Sequence, residues 1–139
     1  MLSFEDVHAA REPVGEVARQ TPLEHSATFS EQTGAEVHLK LENAQRTGSF
    51  KIRGAANRIA QLTPTEATAG VVTASAGHHA QGVALAAERA GVAATVVMPE
   101  YAPVSQVDAT RGYGARVGLD RLAPAAPQPR RPPAPTGDA

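Results

Sequence analysis

A chain of 139 residues carrying 13 Lys or Arg against 14 Asp or Glu has room for one modest domain. Its formal charge of -1 gives no electrostatic excess to draw it to nucleic acid or an anionic membrane. The absence of Cys excludes disulfides, thiolate chemistry and Cys-ligated zinc, and with only 4% aromatic residues any core is built from Ala, Val, Leu and Ile.

Ser3 is placed to cap a short helix through Ala10, with Glu5 and Asp6 suiting its positive end and Pro13 closing the segment. Glu36 to Leu41 alternates, with Val37, Leu39 and Leu41 on one face, and reads as a half-buried strand. Ser49 caps a helix to about Gln61, in which Ile52, Ala55, Ala56 and Ile59 recur at helical spacing. Thr63-Pro64-Thr65-Glu66 ends that helix and starts a further turn. Gly70 to Ala74 is a strand, His79 to Arg89 an Ala-rich helix with Val83, Ala84 and Ala87 inward, and Gly91 its stop. Ala93 to Met98 is a second apolar strand ended by Pro99. Ser105 to Tyr113 is a helix, and Ala115 to Leu119 begins another strand. Short apolar strands alternating with helices of about ten residues predict βαβ units and an open parallel sheet. In such sheets ligands sit at the edge where strand-to-helix loops gather. From Arg121 to Ala139 the composition shifts. This stretch holds six of the eleven prolines and almost no large apolar side chain, so it is expected to be disordered. No apolar run reaches the ~20 residues that span a bilayer, and the start MLSFEDVHAA has acids where a signal peptide needs bases. The expected compartment is the cytoplasm.

Two segments carry chemistry. Lys51 is one of only two lysines, set in LENAQRTGSFKIRGA behind a Thr47-Gly48-Ser49 turn. Arg cannot replace Lys where an amine must lose its proton and attack a carbonyl, so Lys51 is a candidate Schiff-base residue; the alternative is a solvated surface Lys. The run Ser75-Ala76-Gly77-His78-His79 follows a strand and opens a helix. Free backbone N–H groups there suit a carboxylate or phosphate, although an ordinary helix start has the same composition. His78 and His79 point about 100° apart on a helix and have no Cys or acidic partner nearby, so no metal site is expected.

The runs TPLEHS, LENAQRTGSFKIRGA, ASAGHHAQGVALAA, VVMPEYAP and ATRGYGARV, in that order from about Thr21 to about Val117, resemble the amino-terminal part of threonine dehydratases (threonine ammonia-lyases). These belong to the fold-type-II pyridoxal-phosphate enzymes, which include serine dehydratases and serine racemases. The resemblance implies pyridoxal 5'-phosphate as cofactor and an amino-acid substrate. The implied reaction is β-elimination of L-threonine or L-serine to 2-oxobutanoate or pyruvate and ammonia, with a place in amino-acid metabolism such as isoleucine biosynthesis. It implies that a desolvated Lys51 holds the cofactor and that its freed amine serves as base for the α-proton. Phe50 matches an aromatic beside the cofactor ring. Ser75, Ala76, Gly77 and His79 match the loop that binds the substrate carboxylate. His78 stands where the family has an Asn that hydrogen-bonds the ring hydroxyl, a bulkier group that can carry charge. Ala76 lacks the hydroxyl that racemases place there as a second base, which favours elimination.

By the same resemblance the fold is a partial fold-type-II architecture, an open parallel sheet with flanking helices, truncated. Residues 1–50 are expected to belong to the larger cofactor domain, residues 51–120 to a partial small α/β domain, and residues 121–139 to the tail. The family's glycine-rich phosphate loop and the Ser or Cys facing the pyridine nitrogen have no counterpart here, and the pattern breaks near Leu119-Asp120. The expectation is a truncated or frame-shifted reading of a dehydratase gene. The alternatives are a chain that carries out the β-elimination in truncated form and a catalytically inactive fragment without stable cofactor binding; the expected partner is a second copy in a homo-oligomer or the missing carboxy-terminal part.

Overall fold

In a computed structural model, residues 1–121 are described; the tail lies outside the described residues apart from Arg121. The chain opens with two short helices, α1 (Phe4–Ala9) and α2 (Arg11–Val17). Ser3 caps α1 in a reciprocal box with Asp6. Pro13 does not close this segment: it is the third residue of α2. In a first turn the N–H has no intrahelical acceptor, so proline loses nothing there. The first main-chain bond of the helix runs from Val14 N to Ala10 O at 3.1 Å.

Two elements absent from the sequence reading follow. Strand β1 (Leu23–His25) pairs antiparallel with β2 (His38–Lys40), with Glu24 opposite Leu39, and helix α3 (Ala27–Thr33) connects them. Ser26 caps α3 and Gly34, at φ +70°, ends it. The expected strand over residues 36–41 is therefore three residues long, and all three are exposed. The β1–β2 ribbon is too short to bury a face by itself.

The rest is the predicted α/β alternation. Helix α4 (Lys51–Ala60) buries Ile52, Ala55, Ala56 and Ile59, and α5 (Pro64–Ala69) starts on a Thr63–Glu66 capping box. Strands β3 (Val71–Ala74), β4 (Ala94–Pro99) and β5 (Arg116–Asp120) form one parallel sheet in the order β3-β4-β5. Helices α6 (His78–Ala90) and α7 (Val104–Gly112) link successive strands. Ser49 is not the formal cap of α4. Phe50 already has helical backbone angles, and the Ser49 hydroxyl accepts from Lys51 N at 3.4 Å from one position further back.

Helix α6 is the centre of the core. It packs on α4, on α7 and on β3 and β4, and every residue from Ala80 to Ala87 is buried. The small side chains of Ala80, Ala84, Ala86 and Ala87 let neighbours approach on several sides, while Ile52, Val96 and Met98, all fully buried, fill the space between. Burying a side chain of that size contributes roughly 1.5–3 kcal/mol. Because the three strands are parallel, their carboxyl ends at Ala74, Pro99 and Asp120 lie at one edge of the sheet. Arg121 bonds Glu100 across that edge at 3.0 Å.

Candidate active site

Lys51 is the first residue of α4, preceded by a tight turn. Gly48 N donates to Gln45 O at 2.9 Å, and Gly48 sits at φ +68°, where a residue with a Cβ is strained. The Gln45 side chain anchors the turn to the segment before β1. Its Oε1 accepts from Arg19 N at 2.8 Å and its Nε2 donates to Arg19 O at 2.8 Å. On the far side the Tyr113 hydroxyl donates to Arg46 O at 3.0 Å. Thr47 is buried, and its Oγ1 has no hydrogen-bond partner among the described residues.

The second segment leaves β3 at the sheet edge. Ser75 N donates to Val97 O at 3.0 Å, prolonging the strand pairing by one bond, and Ser75 Oγ accepts from Gly77 N at 3.3 Å. Ser75, Ala76 and Gly77 are half-buried, and His78 begins α6. Neither α4 nor α6 carries a side-chain cap at its cap residue. Both therefore present the positive end of a helix dipole at this edge.

The fold brings these two segments together. A Cβ built on Gly48 would lie 3.7 Å from His78 Nε2, so the imidazole rests against the turn that leads to Lys51. One turn further along α6, a Cβ on Gly82 would lie 3.2 Å from Ile52 N and 3.3 Å from the Lys51 carbonyl carbon. Lys51, Phe50 and His78 are thus neighbours in one corner. His79 diverges from His78: its side chain lines a separate cavity of about 320 Å³ with Gly54, Arg58, Val72 and Thr73. Among the described residues no group of three or more His, Asp or Glu side chains gathers as a metal site.

The desolvated Lys51 expected from the sequence is not found. Lys51 and Phe50 are both exposed, because the first turn of α4 stands at the open edge and no described element lies over it. Sequence reading also missed the groups that hold the turn. Glycine inside a helix is unfavourable and calls for a packing reason, so Gly82 carried a usable signal. Gln45, Tyr113, Glu42 and Arg53 carried none, since their partners are remote in the chain.

Residues 14–120 match the family model described as "Pyridoxal-phosphate dependent enzyme". The chain belongs to this family. An L-threonine ammonia-lyase of Thermotoga maritima is 53% identical over 120 residues, which cover 86% of this chain and 30% of that protein. Among solved structures, a serine racemase of Dictyostelium discoideum superposes with a TM-score of 0.81 at 38% identity, covering 87% of this chain and 39% of that one. Threonine deaminase isoform 2 of Solanum lycopersicum, in its processed form, gives 0.75 at 42% identity, covering 84% and 34%. The resemblance to threonine dehydratases is borne out, as is a partial α/β fold with a parallel sheet and flanking helices. The chain spans about a third of the length of these relatives. Members of the family depend on pyridoxal phosphate, and the exposed Lys51 residue beside two helix starts fits such a group: a primary amine for its aldehyde and positive helix ends for its negative charge.

Proposed function

We propose that this chain is the lysine-bearing portion of a pyridoxal-phosphate ammonia-lyase acting on L-threonine or L-serine. The observation that carries the reading is Lys51 at the start of α4 with the His78 ring against the adjoining Gly48 turn. When bound, the cofactor supplies an aldehyde for the amine and a ring that takes up electron density. Lys51 is the residue that holds it, and the freed amine is the base for the substrate's α-proton. His78 offers an N–H or a lone pair to the ring hydroxyl, and Phe50 offers an aromatic face beside it. Ser75, Ala76, Gly77 and His79 receive the substrate carboxylate, through main-chain N–H groups and the Ser75 hydroxyl. Ala76 has no hydroxyl with which to return a proton to the opposite face, so loss of the β-hydroxyl is favoured over racemisation. The balance is threonine to 2-oxobutanoate and ammonia, or serine to pyruvate and ammonia, the water lost from the β-carbon being regained on hydrolysis.

The exposure of Lys51 and Phe50 favours a second reading, in which the chain alone holds the cofactor only loosely and needs further polypeptide to act. Adding pyridoxal phosphate and following absorbance, with Lys51→Ala as control, decides between them. A stable Lys51-dependent chromophore with release of 2-oxobutanoate from threonine supports the lyase. No such chromophore supports the second reading.

A further inference from the structure

Arg53 lies two residues beyond Lys51 in the first turn of α4, and its guanidinium grips Glu42 with two parallel bonds. Nε donates to Oε2 at 2.9 Å and Nη2 to Oε1 at 2.7 Å. The buried Thr21 hydroxyl donates to the same Oε1 at 2.5 Å. Arg53 Nη2 also reaches Arg19 O at 3.4 Å, and Lys40 Nζ donates to Thr21 O at 2.5 Å. The segments before β1 and after β2 are thereby tied to one point on α4.

A bidentate fork restrains rotation as well as distance, which a single ion pair does not. At about 100° per residue, Arg53 projects some 200° round the helix from Lys51, and Ile52 lies between them. Ile52 is backed by Gly82 and Arg53 is held by Glu42, so two faces of the turn are fixed and the third carries the amine. We infer that Arg53 and Glu42 are positioning residues, which set the rotation of the first turn of α4 and so the direction in which Lys51 is presented to an aldehyde. This rests on the reading of Lys51 as the cofactor-bearing residue.

The test uses the full chain with pyridoxal phosphate and borohydride, followed by peptide mass spectrometry. It reads the ratio of pyridoxyl adduct on Lys51 to that on the Met1 amine, at a temperature where circular dichroism shows every variant folded. Glu42→Gln removes the charge, and Arg53→Lys keeps the charge but not the fork. Each is expected to lower the ratio about tenfold, as lost orientation of a reacting group does. Thr63→Ala, which removes the cap of α5 well away from Lys51, is expected to leave it unchanged. If Glu42→Gln does not fold, Arg53→Lys decides alone. A folded positioning variant with the wild-type ratio overturns the inference and leaves the cofactor reading standing. Equal loss in Thr63→Ala overturns it as general destabilisation. A wild-type chain that labels Lys51 no better than Met1 overturns the inference for this chain, together with the reading in which the chain alone holds the cofactor.

Discussion

Gly82 of α6 lies directly against the main chain of Ile52 in α4: a Cβ on Gly82 would come 3.2 Å from Ile52 N. The obstacle is main chain, which cannot rotate away as a side chain can. In Gly82→Ala the gain in helix propensity, up to about 1 kcal/mol, opposes an overpacking term of about 1–3 kcal/mol. Destabilisation is therefore the expected outcome, larger again in Gly82→Val. Gly54 in α4 has nothing within 4 Å, so Gly54→Ala is expected to stabilise by about 0.5–1 kcal/mol. Chemical denaturation of the three variants checks the contrast; a stabilised Gly82→Val would show that the helices separate freely.

A similar contrast separates Gly70 from Gly91. Both have positive φ, +82° and +66°. A Cβ on Gly70 would lie 2.7 Å from Ala93 O, the carbonyl that accepts the Val71 N–H, whereas Gly91 has open space around it. Gly91→Ala is expected to cost about 1–2 kcal/mol for the left-handed conformation alone. Gly70→Ala adds displacement of the first β3–β4 bond, so it should lower the thermal midpoint further. Equal midpoints would mean that Ala93 moves without penalty.

Stability should fall in acid through Glu42. Its pKa is held down, from 4.5 to about 2, chiefly by the Arg53 guanidinium and secondarily by the Thr21 hydroxyl, with burial opposing both. The folded state thus holds the carboxylate charged more strongly than the unfolded chain does. The resulting stabilisation is complete above about pH 5 and is lost as pH falls towards 2. Arg53 remains a third exposed, so solvent screening limits the loss to about 2 kcal/mol. The capping carboxylates Asp6 and Glu66 are also lowered, each by a main-chain bond to its own cap residue, and add to the same window. Comparison of unfolding free energy at pH 5.5 and 3 in wild type and Glu42→Gln isolates the pair; an unchanged pH slope in Glu42→Gln would refute it.

Ile52 is fully buried beneath the turn that carries Lys51. Ile52→Ala leaves a cavity between α4 and α6 and is expected to cost about 2–5 kcal/mol, measured by urea denaturation. Ile52→Val should cost about 0.5–1.5 kcal/mol. Near-neutral behaviour of the alanine variant would mean that α4 is not anchored through this residue.

What depends on near neighbours was legible in the sequence. The periodic placement of Ile52, Ala55, Ala56 and Ile59, the apolar runs of β3 and β4, the Thr63 cap and the Gly91 stop all follow from preferences acting within a few residues. The ordered motifs likewise pointed to the family and to Lys51. Local reading failed where a rule has two outcomes. Pro13 closes a helix or opens one according to where the turn before it ends, and Ser49 caps from the cap position or from one residue earlier.

The tertiary structure alone decided how Lys51 is held and how far it is covered. Gly82 behind Ile52, Glu42 on Arg53, Tyr113 on Arg46 and His78 on Gly48 join residues remote in the chain. Likewise, β1 pairs with β2 although no apolar alternation in β1 announces it. The exposure of Lys51 has the same origin: burial depends on which elements lie over a helix end, and no nearest-neighbour preference encodes that. The sequence by itself determined the family and the parallel sheet with its flanking helices. Packing between distant segments determined how the first turn of α4 is anchored and how open Lys51 is to solvent.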